Sequence, residues 1–161
     1  MEENPMKRII ALFFIVVIAT SSLFAFKFNS LGIETGQGFH LSADMEIIDN
    51  LDGYVRLGYT GAFQISLGAQ YKIAELKVSQ TTLPLKPGLQ MGFAFADEYF
   101  SYSLLGTFSF SYDHDVFTAF LRPGIGLYTY PAYEFNKDYD LVKKTKVGFA
   151  FQIETGVAFK F

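Results

Sequence analysis

The 161-residue sequence has no cysteine and no tryptophan, only two histidines and five prolines, and charged residues make up just 18% of it. Without cysteine there is no disulfide, no thiol nucleophile, no cysteine-ligated zinc and no acceptor for a lipoprotein anchor. A net charge of −3 with no basic patch speaks against nucleic acid as a partner. Half of the residues are hydrophobic, yet only the N-terminal segment holds an unbroken apolar run. Nothing after that segment has a helical period, so the glycines form no phosphate-binding fingerprint, which needs a following helix. What the chain has in quantity is aromatic: 19 Phe and 10 Tyr.

The opening MEENPMKRIIALFFIVVIATSSLFAF is laid out as a secretory signal peptide. Lys7 and Arg8 supply the positive region, Ile9 to Ala19 the apolar core, and Thr20, Ser21 and Ser22 a small polar exit before Ala25. A spanning helix needs about 20 apolar residues, and this core is too short. The expected organisation is a signal peptide over 1–25 and one exported domain over 26–161.

That domain alternates. In VGFAFQIETGVAFKF, every second residue back from Phe161 is Phe159, Val157, Thr155, Ile153, Phe151, Phe149 and Val147. Between them lie Lys160, Ala158, Gly156, Glu154, Gln152, Ala150 and Gly148. Period two specifies a strand. The same alternation runs through 32–47, read as one first strand, then through 54–59, 63–72, 89–95, 99–112 and 116–130. Ile73–Gly88, with two prolines, and Lys137–Lys146 break the pattern and read as long polar loops, both on one rim. Pro123 interrupts a regular strand and calls for a bulge or a strand end. The total is seven or eight strands and no helix.

Such strands suit either a soluble barrel with its apolar face inward or a membrane barrel with that face outward. Three features favour the second. The polar face is rich in glycine, serine and alanine, too small for a solvated strand face but fitting for a narrow lumen. Its few charges have both signs, so Glu34, Asp44, Glu46 and Glu154 can pair with Arg56 and Arg122 around His40 in an interior polar network. Tyrosines (Tyr54, Tyr59, Tyr71, Tyr99, Tyr112, Tyr128, Tyr130) gather at segment ends, where an interfacial girdle lies.

The closing segment resembles the C-terminal signal of bacterial outer-membrane β-barrel proteins, with Val157, Phe159 and the terminal Phe161 at its alternate positions. The whole domain resembles the small eight-stranded group typified by the OmpA transmembrane domain, OmpX and OmpW. The resemblance implies a closed antiparallel up-and-down transmembrane β-barrel of about eight strands in the outer membrane. It also implies outer-membrane lipid as surroundings and the barrel-assembly machinery as partner during insertion.

The expected role is non-enzymatic, as a scaffold or surface-interaction protein without cofactor or metal. The alternatives are a narrow channel for small hydrophobic compounds, as in OmpW, and a lipid-modifying enzyme. His40, Ser42, Asp44 and Glu46 have the residue types of a hydrolase triad, but alternate residues of one strand stand roughly 6.5–7 Å apart, beyond hydrogen bonding. Asp113-His114-Asp115 reads as a polar turn rather than a metal site, and Lys143-Lys144-Thr145-Lys146 as a solvated loop rather than a lipid-phosphate contact.

Overall fold

The computed structural model describes residues 27–78, 81–96, 99–135 and 140–161; the expected signal peptide lies outside them. The described chain is all β, in nine antiparallel strands: β1 Lys27–Thr35, β2 Phe39–Ile48, β3 Leu51–Tyr59, β4 Phe63–Tyr71, β5 Ala74–Val78, β6 Thr81–Ala96, β7 Tyr99–Asp113, β8 Phe117–Phe135 and β9 Leu141–Lys160. Sequential neighbours pair except β4 and β5, β4 instead pairs β6, and β9 returns to β1, so the single sheet closes into a ring. Because β5 continues β4 along the same partner, β6, the ring has eight positions.

The registers fix its shape. A path through directly opposed residues leaves β9 at Gly148 and crosses Tyr128, Ser103, Gly92, Ser66, Arg56, Ser42 and Gly32 in turn. It re-enters β9 at Ala158, ten residues further on. With about 3.3 Å per residue and about 4.8 Å between strands, this stagger tilts the strands by about 41° and sets a backbone diameter of about 17 Å. An interior of that width is largely taken up by side chains, with room for no more than a small ligand.

The faces are inverted relative to a water-soluble domain. Among the described residues only six hydrophobic side chains are buried, against fifteen polar or charged ones, while 35 large hydrophobic residues are exposed. Phe151 is 63% exposed and Ile153 50%, whereas their neighbours Gln152 and Glu154 point inward and are buried. A one-residue slip would exchange the two faces of a strand.

Four sequence expectations are corrected. The stretch 32–47 is two strands, with a tight turn at Gly36–Gly38 where Gly38 adopts φ 132°. The turn is silent in the sequence because Ile33 pairs Leu41: facing residues have the same parity, so the alternation passes through the turn unbroken. Ile73–Gly88 is no loop, since β5 and β6 pair out to Val78 and Thr81. Pro87 is accommodated opposite the irregularity at Lys72 and Ile73, where the backbone N–H of Lys72 turns to the carbonyl of Asn50.

Nor is most of Lys137–Lys146 a loop, because the β8–β9 ladder runs to Phe135 and Leu141. The two long ladders project from opposite ends: β5–β6 at the end holding Lys27 and Phe161, β8–β9 at the other, distal end. Pro123 causes neither bulge nor strand end. Its β9 partner Ile153 stays in register, and the β7–β8 ladder simply skips the rungs between Thr107–Gly124 and Phe110–Leu121.

Candidate functional site

Inward-facing charges from four strands meet at mid-lumen. Glu34 of β1, Arg56 of β3, Arg122 of β8 and Glu154 of β9 are all nearly inaccessible. Arg56 Nη1 lies 3.1 Å from Glu34 Oε2 and forms a closer pair with Glu154. Arg122 Nη1 lies 3.3 Å from Glu34 and 3.4 Å from Glu154. Each guanidinium therefore faces both carboxylates, and the quartet is neutral. Register produces this meeting: Arg122 opposes Glu154 directly across β8–β9, and Glu34 lies one strand beyond.

Neutral groups hold the quartet in place. Gln152 Nε2 donates to Glu154 Oε1 at 3.0 Å. The Gln70 amide, with its oxygen turned to Arg122, accepts from Nε at 2.7 Å and Nη2 at 3.2 Å. The Arg122 guanidinium sits 4.1 Å from the Tyr54 ring centroid and 4.7 Å from that of Phe120, a cation–π sandwich. Tyr54 donates its hydroxyl to Gln90 Oε1 at 2.9 Å. Gly68 makes room for that ring, since a Cβ there would lie 2.1 Å from Tyr54 Cζ. Among the described residues Glu34 Oε1 and Arg56 Nε have no hydrogen-bond partner.

Of the expected network, the structure brings together Glu34, Arg56, Arg122 and Glu154 but not the rest. His40 lies on the distal side, with Nε2 2.9 Å from Gln64 Oε1, over Gly58. Asp44 accepts from Ser30 Oγ at 2.9 Å, and Glu46 reaches Lys27 at 3.6 Å near the opposite rim. Asp44 and Glu46 are thus not the arginines' direct partners; Glu34 and Glu154 are. Neither His40 nor Asp44 engages Ser42, so no triad is assembled.

Tyr54 also moves: it belongs to the lumen, 2% exposed, and not to a girdle. Its parity with Arg56 is the signal for this in the sequence. Phe159 and Phe161 are exposed and Val157 partly so, on the outer face. Asp113 binds Thr118 and Lys160, and His114 stacks on Phe117. No group of three metal-ligating side chains occurs among the described residues. Lys144 and Lys146 lie within β9, both paired with Glu134 of β8.

The quartet divides the lumen. A distal cavity of about 420 Å³ reaches down to Arg56 and Glu154. A second of about 290 Å³, at the end with Lys27 and Phe161, reaches up to Tyr54, Gln70 and Arg122. The cluster is a septum between two blind chambers. Comparison with known protein families, with curated proteins and with solved structures finds no match to this chain.

Proposed function

We propose that this chain is a small integral β-barrel of the bacterial outer membrane, exported by its N-terminal segment and occluded at mid-lumen, acting as a non-enzymatic scaffold or surface-interaction protein. One observation carries the reading: the large hydrophobic side chains stand outward around a closed ring while Glu34, Arg56, Arg122 and Glu154 are enclosed within it. A water-soluble monomer tolerates a contiguous apolar patch of roughly 300–600 Å². A belt running from Leu31 and Ile33 through Leu89 and Met91 to Phe149 and Phe151 encircles this one. In hydrocarbon that belt is matched, and the β1–β9 ladder from Ser30–Lys160 to Thr35–Thr155 joins the first and last strands, so that part of the ring leaves no backbone edge to satisfy.

The septum argues for the occluded form over a narrow channel for hydrophobic compounds, because a solute would have to pull both guanidiniums away from both carboxylates in a space of low dielectric. The resemblance of the last strand to the outer-membrane assembly signal supports the same reading, with Phe161 at the side from which the assembly machinery acts. The test is reconstitution of the purified chain. Protease-resistant insertion into lipid vesicles without steady single-channel current in planar bilayers is the expected result. Persistent unitary currents would overturn the occluded scaffold, and failure to partition into lipid would overturn the barrel.

A further inference from the structure

The septum accounts for the charges but not for the distal chamber, whose wall has a different chemistry. Gln64, Ser66, Gln90, Ser103, Gln152 and Tyr128 line it, and the arginine and glutamate it reaches, Arg56 and Glu154, neutralise each other at its floor. Its hydrogen-bonding capacity is partly unspent. Gln90 uses its amide oxygen on Tyr54, leaving its nitrogen, and Gln152 uses its nitrogen on Glu154, leaving its oxygen. The serines add hydroxyls that both donate and accept.

Above them Tyr128 packs against Tyr130, with centroids 5.4 Å apart. Gly148 seats the pair, because a Cβ there would meet Tyr128 Cε1 at 2.8 Å and Tyr130 Cε1 at 3.1 Å. Neutral amides and hydroxyls beside an aromatic face suit a ligand that is uncharged, rich in hydroxyls on its edge and apolar on its C–H faces. A pyranose ring has that character.

The chamber also reaches the outer face. The β1–β9 ladder stops at Thr35 and Thr155, so β9 from Leu141 to Glu154 has no β1 partner. Phe149 and Phe151, both outward-facing and strongly exposed, line the chamber at this gap above the β1–β2 turn, together with Gln37 of that turn. A polar group can therefore occupy the chamber while an attached apolar chain lies along Phe149 and Phe151.

We propose that the distal chamber is a binding site for a neutral saccharide, presented either free or as the headgroup of an amphiphile entering through the gap in the wall. The proposal rests on the barrel reading for the position of the lipid; the chamber chemistry stands without it.

The experiment uses the full chain folded in micelles of a sugar-free zwitterionic detergent and titrates it calorimetrically with maltose and, separately, with dodecyl maltoside. Saturable binding is expected, weakened about tenfold by Tyr128→Ala and by Ala150→Leu, and kept in Tyr128→Phe. Tighter binding of dodecyl maltoside than of maltose supports entry through the gap; equal binding supports the free saccharide entering at the rim. Absence of saturable binding by both, or binding indifferent to Tyr128→Ala and Ala150→Leu, overturns the site. Insertion of the same protein into vesicles is measured in parallel, so that loss of the barrel is distinguished from loss of the site.

Discussion

Replacing Ile153 with lysine separates a ring that lives in lipid from one that lives in water. Ile153 is half-exposed on the outer face, beside Glu154 of the septum and opposite Pro123. If the outer face meets acyl chains, this position lies near the middle of the hydrocarbon layer. A lysine there costs about 2–4 kcal/mol, roughly a 30- to 900-fold fall in the folding equilibrium constant. Ile48, 62% exposed beside the β2–β3 turn, is the internal control, because the penalty falls to about 0–1 kcal/mol near the interface. In water both substitutions would remain within about 0.5 kcal/mol of neutral. The assay is reversible urea unfolding in phosphatidylcholine vesicles, followed by tyrosine fluorescence, which no tryptophan obscures. Equal midpoints for Ile153→Lys and Ile48→Lys would refute the depth argument, and with it the assignment of the outer face to lipid.

Two further outcomes follow from the charges. Glu34→Gln leaves two buried guanidiniums sharing Glu154 and should cost about 3–5 kcal/mol, whereas Glu34→Gln with Arg122→Gln, which keeps the lumen neutral, should cost clearly less. Equal urea midpoints for the single and double variants would contradict the pairing described. On the projecting β8–β9 ladder, Lys146 and then Lys144 hold the Glu134 carboxyl down to about 2 from an ordinary 4.5. A lowered folded-state value means that the pairing stabilises the ladder above pH about 4.5 and is lost as pH falls through about 2. Carboxyl NMR titration should give that midpoint, and Lys146→Ala should raise it; an unmoved midpoint would show that the lysine contact is not the cause.

Much of the inside-outside arrangement is legible in the alternation itself. Phe151 beside Gln152 and Ile153 beside Glu154 need no partner to declare opposite faces. The ion quartet is only half legible. Parity puts Glu34, Arg56, Arg122 and Glu154 on one face, but it puts Asp44 and Glu46 there equally. The choice among them is made by ring closure, which brings Glu34 within reach of Arg122, 88 residues away.

The prolines mislead for a related reason. Pro84 and Pro87 look like loop residues when a strand is judged alone, but Pro87 faces the irregularity between β4 and β5. Pro84, in register with Glu75, lies beyond the last β6–β7 rung at Leu85–Phe110, where one side of β6 has no partner to lose. The turn at Gly36–Gly38 is hidden because both flanking strands keep the same parity.

The three places where the pairing slips, at Phe28/Ser30, at Glu46/Ile48 and between β4 and β5, all lie toward the end holding Lys27 and Phe161. That end is the slack of the molecule. A residue gained or lost there can be absorbed by shifting a kink that already exists. The same change near Arg122 would have to travel along the strand, turning phenylalanines into the lumen as it went.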